Sequence, residues 1–145
     1  MNRAQRQSVK CITEAFEIND DDILWEKFMC FIRQLLPWEE KQLVQLSTIQ
    51  KMPVIAFIYS SEVMGDGHAQ FLELYGEYIK KEDVINAFKA LFISNKYTEI
   101  IEKLESIDKL CDECDAHFYQ YGNEEIDEKI IDHVRKYHLD FFEYR

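Results

Sequence analysis

Only four glycines and two prolines are spread over 145 residues, and this scarcity of turn formers is the tightest limit on what the chain can fold into. Glycine supplies the positive-φ positions of tight turns and proline the fixed-φ ones, so an all-β chain of this length would use more of both. Lys, Glu, Leu and Gln are abundant instead, and these side chains lose little rotamer freedom in a helix. The expected fold is all-α, with residues 1–145 forming a single compact domain of about seven or eight helices. A composition that is 47% hydrophobic and 14% aromatic can bury a core, which argues against intrinsic disorder.

Apolar spacing places the helices. Asp20, Asp21 and Asp22 precede Ile23, Leu24, Phe28, Phe31, Ile32 and Leu35, an acidic start followed by a helical stripe over 21–35 that Pro37 stops. Trp38 to Gln50 reads as a further helix through Leu43, Leu46 and Ile49, after which Pro53 kinks the chain or starts a new helix. Val54–Tyr59 is compatible with a buried strand or a helix; helix is favoured because no second strand candidate exists to pair with it. Gly65-Asp66-Gly67 breaks this element, and His68 to Tyr75 forms a short piece closed by Gly76.

Glu82 and Asp83 open a helix with Val84, Ile85, Phe88, Leu91 and Phe92 inward, and Asn95 opens another carrying Tyr97, Ile100, Ile101 and Leu104. A break at Ser106 precedes a stripe of Ile107, Leu110, Cys111, Cys114, Phe118 and Tyr121. Gly122-Asn123 turns the chain into a last helix from Glu124 to about Tyr137, with Ile126, Ile130, Val134 and Tyr137 on one face. His133 and His138, near its end, read as surface residues or as residues matched to the helix dipole.

The formal charge of -11 is unevenly distributed. Residues 1–60 hold 7 basic and 8 acidic side chains, whereas residues 61–145 hold 10 and 20. Such a field repels nucleic acid and anionic lipid and attracts basic surfaces, so direct nucleic-acid or membrane binding is not expected. Periodicity puts Asp108, Asp112 and Asp115 opposite the Cys111 stripe, with Glu113 beside them. Glu124, Glu128 and Asp132 form a second row spaced by four, and Glu99, Glu102 and Glu105 a third. Like charges at that spacing oppose an isolated helix by about 0.2–0.5 kcal/mol per pair. The rows are read as a partner-binding face, in competition with a plain solvated helix exterior.

Catalytic and metal chemistry find little to work with. Cys111-x-x-Cys114, with His117 nearby, has a ligand-like spacing but no second pair to complete a zinc site, and it lies inside an apolar stripe, so buried thiols are expected and no metal or cofactor. His68 beside Asp66, with Glu62 and Gln70 close by, is the best polar constellation. It lacks a nucleophile or oxyanion device, so fixing the loop and the following helix is the expected role, and an enzyme is not. The basic start at Arg3 and Arg6 has no apolar run behind it, no stretch approaches a membrane span, and the thiols suit a reducing compartment, so a cytoplasmic protein is expected.

The segment Glu62-Val63-Met64-Gly65-Asp66-Gly67-His68-Ala69-Gln70-Phe71 resembles the DNA-mimic protein family of the neisserial type, a widespread bacterial domain. Members show an acidic residue and Val, a loop of two Asn and two Gly, an aromatic or His, then Gln and Phe; here Met64, Gly65 and Asp66 stand in place of Asn, Asn and the first Gly. The similarity continues in Ala87–Leu91, Lys96-Tyr97 through Leu104, Cys114–Tyr119 and Phe141-Phe142, covering about residues 40–142. The resemblance implies an all-α fold, a homodimer, and an acidic surface that imitates DNA and occupies the basic DNA-binding face of a transcription regulator. The other readings are an immunity-type or other interaction protein with a merely solvated acidic surface, and an enzyme using the Asp66/His68 loop.

Overall fold

A computed structural model describes residues 9–104 and 110–145. Among these the chain runs β1 (Cys11–Thr13), α1 (Asp21–Gln34), α2 (Glu40–Val44), α3 (Thr48–Tyr75), α4 (Lys81–Ala90), α5 (Asn95–Glu102), α6 (Leu110–Tyr121), α7 (Glu124–Lys136), α8 (His138–Phe141) and β2 (Phe142–Tyr144). The fold is all-α apart from one short two-stranded ladder. Contacts group the residues into two compact units, a terminal unit ending at Lys51 and resuming over Ile131–Arg145, and a central unit over Met52–Ile130.

In the terminal unit, α1 starts where the sequence indicates. The Asp20 carboxylate accepts from the amides of Asp22 (3.0 Å) and Ile23 (3.1 Å), and Leu24, Phe28, Phe31, Ile32 and Leu35 are buried. The expected helix over Trp38–Gln50 is instead divided, because Ser47 and Gln50 form a reciprocal capping box. The Ser47 amide donates to Gln50 Oε1 (3.0 Å) and the Gln50 amide to Ser47 Oγ (3.2 Å), which restarts the helix as α3.

The fully buried Gln50 amide nitrogen also donates to the carbonyls of Val9 (2.7 Å) and Asp140 (2.6 Å), tying both ends of the chain to α3. Next to these anchors β1 and β2 pair in parallel, Cys11 with Phe142 and Thr13 with Tyr144, a ladder that periodicity did not foretell. Phe141 packs edge-on to Phe28 and Phe31, with ring centroids at 6.1 and 5.2 Å.

Pro53 lies inside α3 and has no amide hydrogen to give the Ile49 carbonyl. That carbonyl accepts from His133 Nε2 at 2.7 Å, so His133 is half-buried and structural rather than a surface residue. Burial lowers its pKa, in keeping with a neutral ring.

In the central unit, Val54–Tyr59 is helical and buries Val54, Ile55, Ile58 and Tyr59. Tyr59 sits among Phe71, Phe88 and Phe118, whose ring centroids lie 5.2, 5.5 and 5.7 Å away in edge-on contact. Tyr97, Ile100, Ile101 and Leu104 are buried as expected, as are Cys111, Cys114, Phe118, Ile126 and Ile130, while Tyr121 is 38% exposed. The expected break at Ser106, together with Glu105, Ile107 and Asp108, lies outside the described residues.

Phe92 departs most from its inward assignment, being 81% exposed. The Ile93 amide reaches the Phe88 carbonyl (2.9 Å) and the Phe92 amide the Lys89 carbonyl (3.1 Å), the paired bonds of a Schellman cap. Phe92 occupies the left-handed position of that cap with φ 61, where glycine is usual, at a strain of about 1 kcal/mol. The cap turns the chain so that Ile93, not Phe92, is buried.

Candidate functional site

The Glu62–Phe71 segment is built around a break in α3. Gly67 adopts φ 89 and ψ 173, a region open essentially to glycine alone, so α3 is interrupted at Gly67 and resumes at His68. A helix start leaves amides unpaired, and Asp115 of α6 supplies the acceptor: its Oδ1 takes the His68 amide at 2.7 Å and His68 Nδ1 at 2.5 Å. A Cβ on Gly67 would lie 2.6 Å from Asp115 Oδ2, so this close approach also depends on glycine. Tyr119, one turn along α6, donates its hydroxyl to the Val63 carbonyl (3.0 Å) on the other side of the break.

His68 Nε2 lies 2.6 Å from the Tyr59 hydroxyl. Burial lowers the His68 pKa against the pull of Asp115, and burial, then Cys114 and Asp115, raises that of Tyr59 well above 10. The assignment that follows is a neutral imidazole with its proton on Nδ1, donating to Asp115, and Nε2 accepting from the Tyr59 hydroxyl. His68 is 0% and Tyr59 1% exposed, so this chain of bonds is closed to substrate and acts as a clamp on the α3 break.

The expected neighbour of His68, Asp66, is exposed and not bonded to the ring. Asp66 instead shares a hydrogen bond with half-buried Glu62, whose pKa rises through burial and then through Asp66. Gly65 is exposed with open space where a Cβ would go, and Gln70 is half-buried. The loop residues therefore divide between a buried clamp and a carboxylate pair of exposed Asp66 and half-buried Glu62.

The proposed acidic rows divide as well. Asp112 and Glu113 are exposed on α6, Asp108 lies outside the described residues, and Asp115 is withdrawn from its row by His68, with a side chain only 20% exposed. On α7, Glu124 and Glu128 are exposed. Asp132, in the terminal unit, is exposed and 3.6 Å from Arg135. Glu99 and Glu102 on α5 are exposed, and Glu105 lies outside the described residues.

Two carboxylates between the α7 positions have other roles. Glu125 accepts from the Ser94 hydroxyl at 2.5 Å and the Ser94 amide at 2.6 Å, holding the start of α5. Burial alone would raise the Glu125 pKa, but these bonds, with Lys96 and Lys129, outweigh it and leave it lowered. Burial pushes Asp127 up to about 6.

Three of the cations are directed at carbonyls or rings. Lys80 Nζ donates to the Gly76 carbonyl (2.7 Å) and Lys81 Nζ to that of Leu104 (3.4 Å), beside a shallow cleft of about 350 Å³ floored by Leu72 and Ile79. Lys96 lies over the rings of Tyr97 (5.3 Å) and Tyr121 (4.8 Å). Among the described residues of the central unit no close Lys–carboxylate pair occurs, the contact of His68 with Asp115 being a hydrogen bond from a neutral ring, and Asp112, Glu124 and Glu128 are in no ion pair.

Cys111 and Cys114 are buried, and burial, followed by Cys111, raises the Cys114 pKa. His117 is exposed, and no group of three or more His, Cys, Asp or Glu that could hold a metal ion occurs among the described residues. No described helix is long and apolar enough to cross a membrane. Tyr59, Ser94 and Tyr119 complete the site and had no signal in the sequence beyond their apolar or helix-start positions. No family model, curated protein or solved structure matches the chain.

Proposed function

We propose that the chain is a binding protein whose central unit engages a basic protein surface, in the manner of a DNA mimic that covers the DNA-binding face of a regulator. The supporting observation is unneutralised charge. Residues 52–130 hold 17 acidic and 7 basic side chains, so the whole chain's excess of -11 is nearly all theirs. Three of those lysines are turned to backbone carbonyls or aromatic rings. Asp112, Glu124 and Glu128, exposed and in no ion pair among the described residues, lead the contact set, and Asp115 is removed from it as a structural residue.

Spacing favours mimicry in kind. Residues four apart on a helix are separated by about 6 Å along its axis, and phosphates of one DNA strand by about 3.4 Å, so such a row matches roughly every second phosphate. Binding rather than catalysis is also favoured by the closure of His68 and Tyr59 to solvent.

The test is retention of proteins from native cell lysate on the immobilised chain and on a D112N/E124Q/E128Q variant. A basic protein held at low salt, released at high salt and lost on the variant is expected. Equal retention by the variant, or salt-insensitive capture of a partner that does not bind DNA, would displace this reading in favour of an immunity-type interaction.

A further inference from the structure

Phe92 pairs an unfavourable backbone with an unfavourable exposure. It takes the left-handed φ of 61 at the end of α4, which favours glycine or asparagine, and leaves an aromatic ring 81% exposed with no ring contact among the described residues. The Schellman bonds of Phe92 and Ile93 do not use the Phe92 side chain, so folding gives no reason for a phenyl group there. Strain that the fold does not need is a pointer to function.

The surroundings identify what the ring would meet. Ser94, two residues beyond Phe92, is held through its amide and hydroxyl by Glu125 at 2.5–2.6 Å, which places this turn against the start of α7, where Glu124 and Glu128 are exposed. Of the nearby cations, Lys89 is exposed, Lys96 lies over the Tyr97 and Tyr121 rings, and Lys96 and Lys129 both act on Glu125. An exposed aromatic group on a unit with 17 acidic and 7 basic side chains is complementary to an apolar pocket rimmed by Lys and Arg. A second copy fits poorly, because residues 52–130 carry 17 acidic against 7 basic groups and would face their own charge.

Resting on the basic-partner reading above, we propose that Phe92 is the apolar anchor of that interface, inserted into a pocket on the basic partner, while Glu124 and Glu128 meet the pocket's cationic rim. The ring adds what a charge lattice lacks, a shape-specific contact that survives moderate salt.

The probe is the basic protein eluted by salt from the immobilised wild-type chain, purified and titrated against F92G, F92N and F92W. Glycine and asparagine both suit the left-handed cap, so their Tm should equal or exceed that of wild type while affinity falls at least tenfold; F92W should retain binding. Unchanged affinity of F92G overturns the anchor and leaves the charge reading standing. A Tm below wild type for both F92G and F92N assigns the ring to the fold and also overturns the anchor. A wild-type dimer in light scattering that F92G dissolves reassigns the ring to a second copy. If nothing basic is retained at low salt, the anchor and the charge reading fail together.

Discussion

Replacing Asp115 with alanine separates the structural carboxylate from the surface ones that share its helix. Asp115 Oδ1 accepts two donors, the His68 amide at 2.7 Å and His68 Nδ1 at 2.5 Å, on a residue that is 0% exposed. Each buried donor left unpaired costs about 1–3 kcal/mol. Losing a negative charge at the restarted helix adds about 0.3–1 kcal/mol. The sum is about 2–7 kcal/mol, and at about 2–4 °C per kcal/mol for a chain near this size Tm should fall by roughly 5–30 °C.

Asp112→Ala, three residues earlier on the same helix and exposed, should change stability by no more than about 0.5 kcal/mol. Asp115→Asn should fall between the two, since its amide oxygen can accept both donors in place of Oδ1 but lacks the charge of the carboxylate. Urea unfolding at pH 7, with hydrogen exchange of the His68 amide, reads all three. Equal stability of Asp115→Ala and wild type, or unaltered protection of the His68 amide, would refute the clamp and return Asp115 to the acidic surface.

Other consequences follow from single contacts. Gly67→Ala forces a side chain into φ 89 and sets its Cβ 2.6 Å from Asp115 Oδ2, so thermal unfolding should register a loss of about 2–4 kcal/mol. Gln50→Ala removes the bonds to Val9, Asp140 and the Ser47 amide; a loss of about 2–4 kcal/mol is expected, with exchange of the Ser47 amide accelerated. Asp127, raised by burial from 3.8 to about 6, is a carboxylate the fold would rather protonate. Because the unfolded chain holds fewer protons between those values, its penalty is absent below pH 3.8, grows up to about pH 6 and is full above it. Two pK units correspond to about 3 kcal/mol, reduced to about 1–2 by partial solvent exposure, so Asp127→Asn should stabilise by that much at pH 7–8 and give no gain below pH 3.8 in chemical denaturation.

Helical periodicity carried the reading of the fold wherever a long apolar stripe exists, as in α1 and over Ile126, Ile130 and Val134. It failed where a local hydrogen bond outcompetes the stripe. The Ser47-x-x-Gln50 box was visible in the sequence but lay within an apolar period that masked it. Phe92 follows Leu91 in register, yet the cap rotates the chain by taking a left-handed residue that is not glycine. β1 and β2 are three residues each, too short for a two-residue period to register.

The candidate site divides on the same principle. Exposure of Asp112, Glu124 and Glu128 follows from helix geometry alone. The use of Asp115 depends on an unpaired amide on another helix, and that in turn depends on the backbone of Gly67, which no spacing within α6 encodes.

The most direct trial of the binding account is displacement by DNA. Protein from native lysate held on the immobilised chain at low salt is challenged with a short duplex in excess. If the carboxylates of residues 52–130 occupy a DNA-binding face, the duplex elutes the partner, and the eluted partner is DNA-bound. A partner that stays on the chain while binding the duplex elsewhere, or that ignores the duplex altogether, would contradict the account.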